Sequence, residues 1–582
     1  MKNYWKQHGF ENIASLVLVG IAAIAVSVLF GYSFSTNDDA MLRNIANGTF
    51  TGTPDAHLIY IMYPLGRIWK LCYTAAPAIP WYDLFMVGMH YICYVLLLVR
   101  IAGMFETKLS KMISLCVGFA VVLVIDLPYL VMHQYTILSA LLASVAILYL
   151  ATSKEKNGVR YWADRIVCLI FLILCLWLRK QVFFMALPIG FCILIYEVFG
   201  DVKEKKQWLK RIKQTGIFVG ITLGLTTVSL VDDGLAYRSE EWKDFKVYNE
   251  ARTDIYDYYG IPSYAASKEV YETLSLSYGD WIAIDHYDSG LVEELDAQKL
   301  LAIASEAKKQ WEEPQQHYSV WRQVLYSLCG VIFQNEVQPI GLLLSVAYAL
   351  IFLHYTYRRD AVGLLSVSGM LLFQAVFISY FIWQGRFPER VSYGLYFMQF
   401  VCIAGLMLKE RQGAKTDSKP DKLCLSILLV ISVGMLGICG LYRVRTVMTD
   451  KAELDDNIAD WTYVNEILAS KPENRYLLVT KSFVYSAEHM FDGASAESFN
   501  IQRLGSWIQN SPLEQHRNET LGITDEAKQL AQEEGFYIIQ SSENDTDWLN
   551  TFYESNGYTV EAVVTDTIVT PAGKSFSIIE MQ

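Results

Sequence analysis

The chain has 582 residues, 53% of them hydrophobic and 19% charged, whereas a soluble domain carries about a quarter charged residues. Its formal net charge of −12 is uneven, with 10 Lys/Arg against 23 Asp/Glu from Arg443 onward. A polyanionic tail excludes nucleic acid, which calls for basic patches, and apolar runs near the roughly 20 residues that cross hydrocarbon exclude an ordinary soluble protein.

The first apolar run, Ile13 to Tyr32, follows a basic stub without a small-residue cleavage site, so it reads as a retained span. Counting it as 13–33, eleven spans are expected, the others at 82–104, 112–130, 135–152, 166–179, 182–199, 216–231, 339–357, 362–382, 392–408 and 423–442. Alternate connections are short and Lys/Arg-rich: Lys108/Lys111, Lys154 to Arg165, Lys203 to Lys213, Arg358/Arg359 and Lys409 to Lys422. Such loops stay in the cytoplasm. The odd count places the N-terminus inside the cell membrane and the tail outside. Outside with it lie 34–81, the turns near His133, Lys180 and Arg386, and the stretch 232–338. All ten cysteines lie at or before Cys439, so disulfides are not expected to stabilise the tail.

The first outer loop opens Ser35-Thr36-Asn37-Asp38-Asp39-Ala40 directly after a span. On a helix, neighbouring residues diverge by about 100°, so one carboxylate can face a cavity while the other serves the helix N-terminus. The plain alternative is a helix cap and nothing more. A polar loop follows, through Gly48 to His57, and then an amphipathic run from Leu58 to Tyr73.

Two outer turns carry cations against the topological bias. Arg179-Lys180 sits between apolar runs, and Arg386 and Arg390 lie in Trp383-Gln384-Gly385-Arg386-Phe387-Pro388-Glu389-Arg390. Guanidinium forks suit phosphate oxygens. Equally, these side chains can snorkel to the interface, or pair with Glu389. The stretch 232–338 is aromatic, and its Trp242, Tyr256 and Tyr259 are candidates for stacking on an acceptor, or else pack a small outer layer. Arg252, Asp254 and Asp257 form a charged segment there with no assigned role. The span from Val292 to Trp311 has helical periodicity.

In the tail, helices are expected at Ala459 to Ser470, Thr524 to Glu534 and Asp547 to Asn556. Strands are expected at Arg475 to Thr480 and Phe536 to Gln540, with a closing β pair at Tyr558 to Asp566 and Lys574 to Met581. This alternation predicts a small α/β layer domain over 446–582, joined to a membrane domain over 1–445. It has no Gly-rich phosphate loop, and His489 and His516 are isolated, so it reads as a structural or acceptor-binding module. The sequons at Asn518 and Asn544 matter only in a glycosylating secretory pathway.

A span, an outer loop opening on Asp38-Asp39, an amphipathic segment, many spans and an outer C-terminal domain together resemble the GT-C membrane glycosyltransferases. That group includes protein O-mannosyltransferases, the aminoarabinose transferases of lipid A and many bacterial envelope proteins. The resemblance covers the whole topology, with Asp38-Asp39 as its sharp motif. It implies a mainly α, polytopic helical bundle, a polyprenyl-phosphate-linked sugar donor used at the outer face, and an envelope glycan, lipid or protein acceptor. It also implies that Asp38 or Asp39 is the catalytic base. Many members carry a second acidic residue in the next outer loop, where Asp126, followed by His133, is the candidate here. A divalent cation, Mg or Mn, stays open as a cofactor. Glycosyl transfer from a lipid phosphate requires a base near the acceptor and cations on the departing phosphate, and Arg179, Lys180, Arg386 and Arg390 are the candidates for the latter. A lipid-linked glycan polymerase or ligase would share the topology without needing the acidic pair. A transporter or flippase would need ionisable groups inside spans, where His90 and His354 are the exceptions to otherwise clean runs.

Overall fold

The computed structural model describes residues 2–582 except 154–157, 201–204, 294, 313–319, 327–338, 385, 414–418, 483–487 and 493–496. Helix α1 (Lys2–Leu29) leads through β1 (Ser33–Phe34) into α2 (Asn37–Asn47) and α3 (Tyr63–Ala75). The bundle continues with α4 (Trp81–Ala102), α5 (Lys108–Val131), β2 (Met132–His133), α6 (Tyr135–Ala151), α7 (Val159–Leu178), α8 (Lys180–Phe199) and α9 (Lys205–Ala236). The long segment expected outside carries α10 (Glu240–Thr253), α11 (Lys268–Thr273), α12 (Tyr278–Asp285) and α13 (Ala297–Trp311). After them come α14 (Ile340–Arg358), α15 (Ala361–Trp383), α16 (Glu389–Gly413) and the 51-residue α17 (Lys419–Ala469).

Among the described residues nine helices are long and apolar enough to cross a membrane. The tenth expected span is α6, which has only 17 residues, all of them buried. Packed against α4, α7, α8 and α16, it meets protein on every side, which suits a helix that is apolar all round. The eleventh, 423–442, falls in α17, where most side chains lie outside the described residues. The chain is a multi-pass membrane protein.

Polar contacts sort the connections to two ends of the bundle. At one end Arg100 forks onto Asp164 at 2.9 and 2.8 Å, and Arg358 meets Glu410 at 2.9 Å. There too Arg211 donates to the carbonyls of Glu197 and Gly200, and Lys409 to that of Ala151. These are the basic connections expected in the cytoplasm. The segments expected outside gather at the opposite end.

The tail forms a five-stranded sheet. Its order is β4 (Ile501–Arg503), β3 (Arg475–Leu478), β5 (Phe536–Ser541), β7 (Ser575–Met581) and β6 (Ala562–Val569). The β3 strand pairs in parallel with both β4 and β5, and β7 runs antiparallel to β5 and β6. Alternate residues of a strand face opposite sides, and both sides here are apolar. Tyr476, Leu478, Ile539 and Ile578 pack on Trp461, Val464 and Leu468 at the end of α17. Leu477, Ile538 and Ile579 instead join a core built from residues 248–307 of the long outer segment. The tail and the outer helices therefore share one hydrophobic interior. The helix expected at 459–470 is the continuation of α17 itself. Both β4 and the helix Pro512–Leu521 are additions to the sequence reading.

Asp288 joins the two parts. It is fully buried and accepts from the Thr480 backbone N–H at 2.7 Å. Burial pushes its carboxyl up to about 7, partly offset by that bond. A folded-state value above the unfolded one means that folding favours the protonated form. The stability it contributes is then complete below the ordinary carboxylate range and is lost as pH rises towards 7. Asp288→Asn, which keeps the acceptor, should remove a pH-dependent loss of up to about 4 kcal/mol. Thermal unfolding midpoints of the detergent-solubilised chain at pH 5 and pH 8 should differ less in the variant than in the parent.

Candidate functional site

The site begins where α1 ends. Ser33 and Phe34 pair in parallel with Met132 and His133, and the Ser35 N–H donates to the His133 carbonyl at 2.8 Å. This fixes the start of α2 beside the start of α6. Thr36 occupies the N-cap of α2 in an extended conformation without a side-chain cap bond, and Asp38 and Asp39 follow in the first turn. Negative charge is favourable there because the helix dipole presents its positive end.

The two carboxylates part company. Asp39 is fully buried, and its Oδ1 accepts from the Tyr82 hydroxyl at 3.0 Å and the Tyr135 N–H at 3.1 Å. It thus satisfies a donor at the first turn of α6, a different helix from its own. Burial, reinforced by the neighbouring Asp38 charge, holds its carboxyl well above the usual range. Asp38 lines a cavity of about 520 Å³ instead. Burial raises its carboxyl as well, opposed by the charges of Arg390, Arg179 and Arg252 and assisted by Asp257.

Behind the carboxylates, Arg43 locks α2 in place. It pairs with Glu488, lies 3.7 Å from Asp83 and donates to the His489 carbonyl at 3.1 Å, while Asn44 donates to Glu488 at 2.9 Å.

Four arginines face Asp38 across the cavity: Arg179, Arg252, Arg386 and Arg390. Arg179 is the extended residue between α7 and α8, and its guanidinium lies over the rings of Tyr60 and Tyr135 at 5.3 and 5.2 Å. Its Nη1 is buried without a hydrogen-bond partner among the described residues. Arg390, in the first turn of α16, closes no ion pair among the described residues, although its charge reaches Asp38. The other two are engaged. Arg386 donates to Asp257 at 2.6 Å, and Arg252 donates to the Tyr287 hydroxyl at 2.9 Å while lying 3.9 Å from Asp257.

Tyr60, Tyr287 and Trp507 complete the mouth, with Tyr60 and Trp507 in ring contact at 4.7 Å. Burial pushes the Tyr60 phenol up to about 12, so it stays a neutral donor. Ile59 and Tyr287 both have positive φ, 63° and 66°. Such strain at bulky residues costs on the order of 1–3 kcal/mol each and clusters at functional sites.

Asp38, Arg179, Arg386 and Arg390 are thus brought together, and the remaining candidates lie elsewhere. Lys180 is exposed on α8, with its charge acting on Asp233. Asp126 is buried between spans, held by His90 Nε2 at 2.6 Å and the hydroxyls of Tyr94 and Tyr393 at 2.6 and 2.5 Å. His133 is buried beside His90, with ring centroids 5.1 Å apart. Three hydrogen-bond contacts on one carboxylate suit a fixed structural node. Trp242 stacks on His57, with centroids 5.0 Å apart. The Tyr256 hydroxyl donates to the Ile284 carbonyl at 2.6 Å, and that of Tyr259 to Gln384 at 3.3 Å. None of these three aromatic residues lines the cavity. Among the described residues no three His, Cys, Asp or Glu side chains are grouped as a metal ion requires.

Arg252 and Asp257 were visible in the sequence as an unassigned charged segment. Tyr287 and Trp507 carried no signal, since their place depends on contacts between distant segments.

Fold and site together define a polytopic membrane protein with a cationic, carboxylate-bearing cavity at one end of its bundle. No protein-family model matches the chain, and no curated protein does. Among solved structures it is similar to two crystal structures of ArnT from Cupriavidus metallidurans, one bound to undecaprenyl phosphate and one in the apo state. Each is 11% identical over 97% of both chains, with TM-scores of 0.39 and 0.41 respectively. At those values the function rests on the site itself.

The division of labour between the carboxylates is testable. Asp39→Ala leaves the Tyr82 hydroxyl and the Tyr135 N–H buried without an acceptor, at a cost of about 1–3 kcal/mol each. The unfolding midpoint in detergent should fall clearly for Asp39→Ala and stay at the parent value for Asp38→Asn.

Proposed function

We propose that the chain is a membrane glycosyltransferase that moves a sugar from a polyprenyl-phosphate donor onto a hydroxyl of an envelope acceptor, with Asp38 as the base. The observation that carries this reading is the pair Arg179 and Arg390, which close no ion pair among the described residues, in one cavity with the Asp38 carboxylate. Four guanidinium groups against the two carboxylates of Asp38 and Asp257 leave the lining cationic. A cationic, partly desolvated pocket at a membrane face selects a lipid-borne anion.

In the reaction, the acceptor oxygen attacks the anomeric carbon while Asp38 takes its proton. The bond from that carbon to the phosphate oxygen breaks, and its electron pair leaves with the phosphate. Arg179 and Arg390 hold the charge that develops there. Asp257 keeps Arg386 and Arg252 in position, and the neutral Tyr60 and Tyr287 hydroxyls supply further donors. Asp39 acts through Asp38 by setting the orientation of α2. The cavity end is assigned to the outer face because the Lys/Arg-rich connections gather at the other end.

The test is the envelope glycan profile of a deletion strain carrying either the parent or Asp38→Asn. The parent should restore the missing product, and the variant, present at equal abundance, should fall short by about 10²–10⁴-fold. A variant that restores the product fully would remove Asp38 from the mechanism. The elevated Asp38 carboxyl also sets the acid limb of the rate. Activity should decline as pH falls through a midpoint above the ordinary carboxylate value, because the base is lost on protonation.

A further inference from the structure

One wall of the cavity comes from segments outside the helical bundle. Arg252 ends α10, Asp257 and Tyr258 follow it, Tyr287 follows α12, and Trp507 belongs to the tail. Particular features of the backbone put these side chains in place.

Helix α10 runs on into a π-helical turn, Asp254–Tyr259, in which the adjacent Asp257 and Tyr258 both line the cavity. Such turns are rare and concentrate at functional sites. This one is held from two sides, by the Tyr256 hydroxyl donating to the Ile284 carbonyl at 2.6 Å and the Tyr259 hydroxyl to Gln384 at 3.3 Å. Trp507 is seated as firmly. A Cβ at Gly505 would stand 1.6 Å from the Tyr287 carbonyl oxygen, so only glycine permits the approach. The Gly505 carbonyl accepts from the Thr480 hydroxyl at 3.0 Å, and the Gly290 N–H donates to the Leu504 carbonyl at 2.6 Å. The tail is thus fastened to this wall within two residues of Trp507.

Asp257 and Arg386 pair at 2.6 Å, yet their side chains stay 35% and 37% exposed. Arg252 stands 3.9 Å from the same carboxylate, beyond hydrogen-bond reach. The pair therefore offers spare acceptor sites and spare donors side by side. An exposed ion pair alone is commonplace. This one lines a cavity together with Trp507 and Tyr60, whose rings lie 4.7 Å apart.

A sugar ring has an apolar C–H face and an edge of hydroxyls that both donate and accept. Aromatic rings suit the face, and an adjacent acceptor and donor suit the edge. Four guanidinium groups against two carboxylates make a field that repels an ammonium group.

We propose that this wall is the subsite for the transferred sugar, and that it selects a neutral sugar with two adjacent free hydroxyls. Asp257 accepts from the diol, Arg386 donates to it, and Trp507 covers the apolar face of the ring. The inference rests on the transfer reading above and names the sugar class that the same cavity takes.

The test is the affinity of the full detergent-solubilised chain for short-chain polyprenyl phosphodiesters. Three carry glucose, mannose or galactose, a fourth carries glucosamine, and a fifth carries only a methyl group, with the corresponding polyprenol as control. At least one neutral hexose diester should bind about tenfold or more tightly than the methyl diester, since hydrogen bonds to charged groups are added. The glucosamine diester should bind more weakly than that hexose. The ratio of hexose to methyl affinity isolates the sugar contacts, because a variant that merely disturbs the cavity weakens both diesters alike. That ratio should fall towards one in Trp507→Ala, survive largely in Trp507→Phe, and drop several-fold in Asp257→Asn. Equal binding of the methyl diester and all three hexose diesters would overturn the proposal and leave the phosphate reading standing. So would tighter binding of the glucosamine diester, or a ratio unchanged in both Trp507→Ala and Asp257→Asn. A chain that binds no diester more tightly than the polyprenol would overturn both.

Discussion

The site depends on one buried contact: the Asp39 carboxylate held between the Tyr82 hydroxyl and the Tyr135 N–H. It ties the first turn of α2 to α4 and to the start of α6, and so fixes the rotation of α2 about its axis. With Asp39 committed inward, the 100° step of a helix turns Asp38 towards the cavity. Arg43, paired with Glu488 and near Asp83, secures the other side of the same helix. An uncompensated carboxylate at either place would be expensive to bury, so the geometry of Asp38 is set by contacts that Asp39 and Arg43, neither of which lines the cavity, make elsewhere.

The cavity depends in the same way on parts that lie far apart in sequence. Its cationic lining is completed by Arg252 from α10, and Trp507 reaches it from the tail. That requires the sheet and the long outer segment to pack as one body, which their common apolar core achieves. The membrane helices beneath give this layer a rigid base, with α6 buried along its whole length.

Much of this was legible in the sequence, for physical reasons. Apolar runs of membrane length report spans directly, and ten of the eleven expected match helices, the eleventh falling within α17. The β alternation in the tail marked β3, β5, β6 and β7, whereas three-residue β4, with a polar centre, left no pattern. Asp38-Asp39 and the outer arginines stood out because each is costly near a bilayer. What the sequence could not rank was Asp38 against Asp39, or Arg179 against Lys180: neighbours in sequence, opposite in environment. Trp242, Tyr256 and Tyr259 shared the composition of a binding surface but pack the outer layer, as aromatic residues usually do. Arg252 and Tyr287 reach the cavity only through contacts between distant segments, which no local pattern encodes.

The proposed hold on a lipid-borne phosphate beside Asp38 rests on Arg179 and Arg390, which close no ion pair among the described residues. Its most direct measurement is the affinity of the solubilised chain for a short-chain polyprenyl phosphate, with the corresponding polyprenol as control, in the parent and in Arg179→Ala/Arg390→Ala. Two charge-assisted bonds of about 1.5–3 kcal/mol each predict that the double variant binds the phosphate at least about 10²-fold more weakly, and that the parent discriminates strongly against the alcohol. Equal affinity for phosphate and alcohol, or a double variant indistinguishable from the parent, would contradict the account.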